Sequence, residues 1–243
     1  MKQLILLCLI SCTHTPKQTT YKTCDNVIGK TFTGGDDVQL RIDSCDGILI
    51  KDNHFTMLRS RNGHSIYVTN SRNIEISNNS FDNIRTGNSE VIALNGNVSD
   101  FSIHDNVMTN MDNIAIDIIG GEGTGDGDDI PKNGEIYNNV IDYQGFQRTN
   151  YWTSPLYLDA AWYVNIFNNI VKNSSLGIEI GSEKPGFYSK NVNVYNNQLI
   201  NISKVGILVG SEEKEYGGTE NVKVWDNEFI NVNIEYKEQE NVR

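Results

Sequence analysis

Four polar residues of this chain occupy positions from which they could transfer protons. Asp117, Tyr157 and Glu179 each lie between two aliphatic residues, and Asp159 follows Tyr157 by two positions. This alternation is typical of a half-buried β-strand whose polar side chains face outward. Carboxyl groups held ~5–10 Å apart can act as general acid and general base, as in glycoside hydrolysis. We predict that Asp117, Asp159 and Glu179 form such a group, and that Tyr157 assists proton transfer or stacks on a sugar ring.

A simpler interpretation is that these outward-facing side chains are merely solvated. Like charges on adjacent strands destabilise a sheet unless something offsets their repulsion, which favours a functional role. Calcium, which takes six to eight oxygen ligands, is one candidate partner. The glycine- and aspartate-rich run at 120–129 supplies Glu122, Asp126 and Asp128 as candidate ligands, although it lacks the nine-residue period of calcium-binding repeats. Calcium is therefore a candidate cofactor, and no other cofactor is indicated.

A second candidate surface is a column of mostly aromatic residues at equivalent positions of the chain. Its members are Lys51, Ser77, His104, Tyr137, Phe167, Tyr195 and Trp225. Rings stacked ~4.8 Å apart can stabilise a parallel sheet without any further purpose. Alternatively, Tyr137, Tyr195 and Trp225 form a platform that binds sugar rings. The sequence leaves both interpretations open.

A sequence motif that occurs seven times must position all of these residues. It consists of an aliphatic residue, any residue, an aliphatic residue, any residue, Asn or Asp, an Asn, any residue and an apolar residue, and its clearest copy is 192–199. The shared asparagines, spaced 26 to 33 residues apart, are Asn53, Asn79, Asn106, Asn139, Asn169, Asn197 and Asn227. A near-constant period in this range is the mark of a solenoid.

Each repeat contains three short strands, which predicts an all-β solenoid of about seven to eight coils with three parallel sheets over residues 24–237. We expect the shared asparagines to adopt the left-handed backbone that the bend between strands requires, and to hydrogen-bond along their column. A second, partial column in the next bend contains Asn83, Asn110, Asn173, Asn201 and Asn231. Residues 238–243 are expected to form a charged tail.

Four long turns, at 120–132, 144–155, 182–190 and 211–220, flank the third strand of successive coils. Extra residues in the turns of a solenoid usually build the walls of a groove, so we predict a groove on the outer face of the third sheet. The outward column of that sheet is predicted to be Arg41, Tyr67, Ala93, Asp117, Tyr157, Glu179, Leu208 and Glu235.

The charge and the N-terminal residues indicate an exported protein. A net charge of −11 argues against nucleic acid as a partner, because phosphate contacts need clustered Lys and Arg. Residues 1–11 are typical of a signal segment, and 9–12 match the bacterial lipobox, which implies lipid attachment at Cys12. Residues 12–23 would be a tether. We expect a periplasmic or cell-surface lipoprotein that contacts the membrane only through this anchor.

Cys24 and Cys45 begin similar sequence segments, 24–28 and 45–49, that lie about one coil apart. Stacked positions on adjacent coils are ~4.8 Å apart, which suits the Cα separation of a disulfide. An oxidising compartment would allow the bond to form, so we predict a Cys24–Cys45 bridge.

The runs 177–183 and 191–197 resemble the right-handed parallel β-helix superfamily that includes pectate-lyase-like enzymes, and in particular its uncharacterised bacterial secreted proteins. The resemblance covers residues 38–236. It implies a carbohydrate-active protein, either a polysaccharide lyase or a glycoside hydrolase. In lyases of this fold, calcium neutralises a uronate while a Lys or Arg removes a proton, so Arg148 and Lys184 are candidate contacts to a uronate. The competing hypothesis is a non-catalytic, glycan-binding or cell-envelope β-helix lipoprotein.

Overall fold

The computed structural model describes residues 20–143 and 153–243, which form a solenoid of about seven turns in which every named strand pairing is parallel. The predicted signal segment at 1–11, the lipidation residue Cys12 and the predicted uronate contact Arg148 lie outside the described residues. Within the part of the chain that is described, there is no helix that could span a membrane.

Each turn of the solenoid contributes strands to three faces. The first face contains β2 (Val27–Ile28), β5 (Asp46–Lys51), β8 (Arg72–Ser77), β11 (Ser99–His104), β14 (Lys132–Tyr137), β17 (Trp162–Phe167), β19 (Tyr188–Tyr195) and β21 (Gly218–Trp225). The second face contains β3 (Thr31–Thr33), β6 (His54–Thr56), β9 (Ser80–Ile84), β12 (Val107–Met111) and β15 (Val140–Asp142). The third face contains β1 (Tyr21–Lys22), β4 (Leu40–Asp43), β7 (Ile66–Thr69), β10 (Ile92–Asn95), β13 (Ile116–Ile119) and β16 (Leu156–Asp159).

Three longer strands join the second and third faces: β18 (Ile170–Gly181), β20 (Gln198–Val209) and β22 (Glu228–Glu238). The described strands therefore form two hydrogen-bonded sheets, of 14 and 8 strands, and not the three predicted sheets. At this bend each long strand turns at one left-handed asparagine, Asn173, Asn201 or Asn231, without leaving the sheet. A single left-handed residue redirects the chain while the pairing continues on both sides.

The core is filled by the inward residues of all three faces. Phe32, Phe55 and Phe81 stack in the interior below the second face, with ring centroids 4.7 and 4.9 Å apart. Burial of each such side chain stabilises the fold by roughly 1.5–3 kcal/mol. Because aliphatic residues alternate along the strands, the residues between them point outward, and this alternation places the candidate site residues on the surface of the third face.

The predicted asparagine ladder is present between the first and second faces. Asn139, which is fully buried, donates from Nδ2 to Oδ1 of Asn169 (2.9 Å) and to the carbonyl of Ile103 (2.9 Å). Its own Oδ1 accepts from the backbone and side-chain nitrogens of Asn106 at 3.1 and 3.0 Å. The ladder thus supplies hydrogen bonds that the bend removes from the strands.

The backbone conformation of the ladder differs from the prediction. The left-handed residue is not the shared asparagine but the Asn or Asp before it, with φ between 51° and 57°: Asp52, Asn78, Asp105, Asn138, Asn168, Asn196 and Asp226. The bend therefore divides two tasks between neighbours. The first residue turns the chain, and the second directs its amide into the column. In the second ladder, the asparagines themselves are left-handed, as predicted.

Tyr163 occupies a third left-handed column, in which the other coils carry Gly, Asn or Asp. Its φ is 58°, and the side chain is 56% exposed. A left-handed conformation costs an ordinary residue ~1–2 kcal/mol, and less for Asn. We expect Tyr163→Asn to raise the free energy of unfolding by about 1 kcal/mol in urea titrations. The reciprocal change one coil away, Asn191→Tyr, should lower it by a similar amount, and equal effects of both variants would contradict the assignment of strain.

The predicted Cys24–Cys45 disulfide is present, with the two Cα atoms 5.4 Å apart. It ties the residues before β2 to the turn that follows β4. Residues 238–243, the predicted charged tail, form backbone hydrogen bonds with the preceding turn. Gln239 donates its N–H to the carbonyl of Val209 at 2.8 Å, and Arg243 donates to the carbonyl of Thr219 at 3.0 Å. Backbone pairing thus continues the last turn through these residues.

Candidate functional site

A groove of about 1120 Å³ runs along the outer surface of the third face. All four residues of the predicted acid/base group line it: Asp117, Tyr157, Asp159 and Glu179. Asp117, Tyr157 and Glu179 are direct neighbours across β13, β16 and β18. Asp159 lies one row further along, paired with Ile119 on one side and Gly181 on the other. The register of the strands therefore brings the predicted group together on one surface.

Loops of unequal length form the two walls of the groove. On the side toward the first face, the wall contains residues of the turns at 119–122, 182–183 and 210–216. On the side toward the second face, it contains residues 87–90, 113–114 and 153–154. These walls cover outward-facing side chains that a flat sheet would expose: Asp117, Tyr157 and Asp159 are only 3%, 6% and 5% exposed.

Asp117 is the most enclosed of the carboxyl groups. Its Oδ1 is buried and has no hydrogen-bond partner among the described residues. Burial and the neighbouring carboxylates Glu90, Asp159, Glu183 and Glu179 raise the pKa of Asp117 well above its ordinary value. An unpaired buried acceptor costs ~1–3 kcal/mol, which a ligand with an O–H or N–H donor would recover.

Asp159 and Glu179 differ in their hydrogen bonding. The backbone N–H of Glu183 donates to Oδ1 of Asp159 at 2.9 Å, which favours the charged form. Burial nevertheless raises the pKa of Asp159 to about 7. Burial, followed by repulsion from Glu183 and Asp159, raises the pKa of Glu179 to about 8. The hydrogen bond from Glu183 thus favours Asp159 as the proton acceptor and Glu179 as the proton donor.

Tyr157 lies between the strands that carry Asp117 and Glu179. A Cβ built on Gly181 would lie 3.7 Å from the Tyr157 hydroxyl oxygen, so the ring leans across the sheet toward β18. Burial and then the nearby carboxylates raise its pKa well above the ordinary value. The hydroxyl therefore remains protonated at neutral pH and can donate a hydrogen bond to a ligand.

These raised pKa values predict an unusual dependence of stability on pH. Carboxyl groups that bind protons more tightly in the folded state stabilise the fold when they are protonated. This stabilisation is complete below their pKa in the unfolded chain, ~4.5, and is lost as the pH rises through their pKa in the folded protein. Burial lowers the pKa of His64 to about 4, so the stability of the fold rises with pH as this residue loses its proton in the unfolded chain. That rise ends at about pH 6.5. Between about pH 6.5 and 8.5, we therefore expect the free energy of unfolding to fall by roughly 2 kcal/mol. Urea titrations at each pH measure this slope, and Glu179→Gln should reduce it; a flat or rising profile would contradict the raised pKa values.

Glu90 and His64 are groove residues that the sequence analysis did not assign. His64 Nδ1 is 3.0 Å from the backbone oxygen of Glu90 and 3.3 Å from its Oε2. Burial, followed by repulsion from Glu122 and Asp159, raises the pKa of Glu90 to about 7. Both residues stand three positions before a member of the outward column. Both lie in turns before the strand, where the alternation that identified the outward column does not apply.

The predicted calcium ligands do not converge. Glu122 Oε1 pairs with Lys184 Nζ at 2.7 Å, and Asp128 Oδ2 pairs with Lys132 Nζ at 2.8 Å. Asp129 instead organises the glycine-rich loop, because its carboxylate accepts hydrogen bonds from the backbone N–H groups of Gly123 and Gly125, both at 2.6 Å. Among the described residues, no group of three or more His, Cys, Asp or Glu side chains is placed to hold a metal ion. Glu122, Asp126 and Asp128 thus do not fit a calcium site.

Lys184, the second predicted uronate contact, joins two loops at the rim of the groove. Its ion pair with Glu122 connects the loop after β13 to the loop after β18. Phe187 reinforces this connection, because its ring lies over Gly121 so closely that an added Cβ would come within 2.8 Å of it. Lys184 is therefore engaged by the protein itself and does not line the groove.

The aromatic column lies on the first face, outside the groove. His104, Tyr137, Phe167, Tyr195 and Trp225 form one stack with centroid separations of 4.6, 5.0, 5.1 and 4.6 Å and nearly parallel planes. The faces of Tyr137 and Tyr195 are covered by neighbouring rings, so a sugar cannot lie flat on them. The geometry favours a structural role for these two residues, whereas Trp225 is 41% exposed and stays a predicted sugar contact.

The prediction that Glu235 belongs to the outward column is wrong. Leu208 pairs with Lys237, and not with Glu235, because the register shifts between Ile202 and Val205 where β20 meets β22. Lys237 accordingly lines the groove at this end.

Comparison with solved structures identifies the fold. The catalytic domain of a GH87 alpha-1,3-glucanase in complex with tetrasaccharides superposes with a TM-score of 0.65 at 16% identity, covering 88% of this chain and 44% of that chain. The alginate lyase from Paenibacillus sp. str. FPU-7 superposes with a TM-score of 0.55 at 11% identity, covering 93% and 88%. The connections between parallel strands in such folds are almost always right-handed. The chain is a right-handed parallel β-helix.

Sequence comparison adds one relative of this β-helix. Over 190 residues it is 35% identical to the uncharacterized protein YwoF of Bacillus subtilis (strain 168), which corresponds to 73% of this chain and 41% of that protein. The β-helix thus spans about two fifths of the length of this relative. No family model matches this chain. At their levels of identity, the two solved structures establish the shared fold alone.

Proposed function

We propose that this β-helix hydrolyses a glycosidic bond of a polysaccharide bound in the groove of the third face. The observation that carries the proposal is the group of enclosed carboxyl groups, Asp117, Asp159 and Glu179, on three adjacent strands of one open groove. Pairs of carboxyl groups whose surroundings separate their pKa values are the usual means of acid and base catalysis at neutral pH. The solved neighbours named above include one glucanase and one lyase, which is consistent with a carbohydrate ligand.

The hydrogen bonds suggest a role for each group. Glu179, with its pKa of about 8, protonates the leaving oxygen, and Asp159, held by the N–H of Glu183, activates a water molecule. Their Cα atoms lie one strand and two residues apart, or ~8 Å, so both side chains face the same stretch of the groove. Asp117 accepts a hydrogen bond from the sugar through its unpaired Oδ1, and Tyr157 donates one.

Hydrolysis fits the described residues better than lyase action. A lyase that acts on a uronate needs a cationic group to neutralise the substrate's carboxylate and a base to remove a proton. Lys184 is paired with Glu122 at the rim, and the groove floor carries carboxylates at the positions where a polyuronate would need positive charge. Repulsion between like charges would therefore weaken polyuronate binding.

Export and lipid anchoring at Cys12 are part of the proposal. The Cys24–Cys45 disulfide supports them, because such bonds persist mainly outside the reducing cytosol. Metabolic labelling with a radioactive fatty acid, compared between the full chain and Cys12→Ala, tests the anchor. Label in the parent chain alone is expected; equal labelling, or none in either, would contradict it.

A screen of polysaccharides distinguishes the candidate activities. The purified protein is incubated with neutral, amine-bearing and acidic polysaccharides, and the release of reducing ends is measured together with the ultraviolet absorption of unsaturated uronates. We expect reducing ends without new absorption. Absorption from a uronate polymer would identify a lyase, and binding without either product would identify a glycan-binding protein. Either result would overturn the proposed hydrolysis.

A further inference from the structure

The carboxylates of the groove form a row along the axis of the solenoid. At least one lines the groove at each of six successive levels: Glu90 before β10, Asp117 on β13, Asp159 on β16, Glu179 on β18, Glu212 after β20 and Glu238 on β22. Glu122, Glu183 and Glu240 line it as well. Successive levels of a parallel sheet are ~4.8 Å apart. This step is close to the length of one sugar unit in an extended chain. A polysaccharide lying along the groove would thus meet carboxylates at every step of its length.

Positive charge from the protein offsets these carboxylates only in part, since Lys184 pairs with Glu122 at the rim and favours the charged form of Asp159. Among the described residues, no Lys or Arg is paired with Asp117, Asp159 or Glu179. His64 lines the groove, but burial lowers its pKa to about 4, so it is neutral at pH 7. Lys237 lines only one end. The buried Oδ1 of Asp117 also has no hydrogen-bond donor among the described residues.

We infer that the groove takes a polysaccharide of amino sugars with free, protonated amines, and this inference rests on the proposed function. An ammonium group carries one positive charge and three N–H donors, so it can satisfy an unpaired carboxylate oxygen and also neutralise its charge. A neutral glucan supplies hydroxyl donors without charge, and a polyuronate adds repulsion. The carboxylates are spaced along the groove and do not converge on one point, which matches a series of separate cations.

The inference has a second measurable consequence, the release of protons on binding. Asp159 and Glu179, with pKa values of about 7 and 8, are mostly protonated below pH 6, where the amines of the sugar chain are also protonated, and an ammonium group stabilises the charged forms of both carboxyls. Binding of an amine-bearing chain should therefore release protons. The heat of binding should depend on the ionisation enthalpy of the buffer, whereas binding of an N-acetylated chain should not show this dependence.

Two matched pairs of hexasaccharides test the inference by calorimetry at pH 5.5, where the free amines are already protonated and cannot take up the protons that the carboxyls release. One pair is β-1,4-linked glucosamine and its N-acetylated form, and the other is α-1,4-linked galactosamine and its N-acetylated form, each measured in two buffers. In at least one pair we expect the free-amine form to bind at least about tenfold more tightly, with proton release and with an affinity that falls as salt is added. Asp117→Asn should weaken this binding about tenfold, whereas Glu135→Gln, on the exposed surface of the first face, should not change it.

Equal or tighter binding of both N-acetylated forms, or absence of proton release, would overturn the inference even if Asp117→Asn fails to fold. Measurement of reducing ends on the same oligosaccharides separates it from the proposed function. Hydrolysis without preference for amines would preserve the function and overturn the inference. Amine-selective binding without hydrolysis would overturn the function and support the inference.

Discussion

Glu179→Gln should lower kcat for polysaccharide hydrolysis by about 10²–10⁴-fold with little change in KM, because a glutamine cannot donate the proton that the leaving oxygen requires. The fold should tolerate the change, since an outward-facing carboxyl group is replaced by an amide of the same shape. Steady-state release of reducing ends measures the loss, and circular dichroism confirms that the variant is folded.

Glu135→Gln is the matched control for this prediction. Glu135 is exposed on β14 of the first face, so the same chemical change is made outside the groove. We expect wild-type kcat and KM. Equal losses in the two variants would show that the effect is not specific to the groove, and full activity of Glu179→Gln would remove this residue from the mechanism.

The second large effect concerns the asparagine ladder. Asn139→Ala removes an amide that donates to Asn169 and Ile103 and accepts two hydrogen bonds from Asn106, all in the interior. Each buried group left without a partner costs ~1–3 kcal/mol, so we expect the free energy of unfolding to fall by about 3–6 kcal/mol. Urea denaturation followed by fluorescence measures the change.

Asn201→Gly provides the matched control in the second ladder. Asn201 is exposed, its amide bonds to Asn173 at 3.0 Å, and glycine preserves its left-handed backbone. A loss of no more than about 1 kcal/mol is expected there. Comparable losses at both positions would mean that the ladder stabilises the bend through backbone conformation and that its buried hydrogen bonds contribute little.

The solenoid and the outward column could be predicted because both follow from short-range patterns. Alternating aliphatic residues determine which side of a strand faces the core, and the constant period places equivalent residues in register. Asp117, Tyr157 and Glu179 therefore fall side by side, as their positions in the repeat predict. The disulfide follows from the same reasoning, since Cys24 and Cys45 stand about one coil apart.

The features that were missed depend on the turns, where the period is interrupted. Residue type identified asparagine as the residue of the bend, but it did not show that Asn138 turns the chain while Asn139 forms the ladder. Lys237 takes the place predicted for Glu235 because the register between β20 and β22 shifts locally. Glu90 enters the groove from a turn, so no strand pattern marks it. Periodicity describes strands well and describes the groove walls poorly.

The enclosure of the site also could not be read from the sequence. Outward-facing carboxylates of an acidic protein are ordinarily solvated, and only the loop walls make Asp117 and Asp159 buried groups with raised pKa values. Glu122, predicted to bind calcium, and Lys184, predicted to contact a uronate, instead form an ion pair with each other at the rim of the groove. Burial by loops thus converts a plain surface column into a candidate active site.

A crystal structure of Glu179→Gln with a bound hexasaccharide would show where the polysaccharide lies, since this variant should bind substrate and convert it slowly. The amine-bearing and neutral oligosaccharides that the parent protein cleaves are the ligands to use. We expect sugar density along the third face, with a glycosidic oxygen within hydrogen-bond distance of the substituted side chain at position 179 and a hydroxyl or amine on Oδ1 of Asp117. Density confined to the aromatic stack of the first face would contradict this expectation.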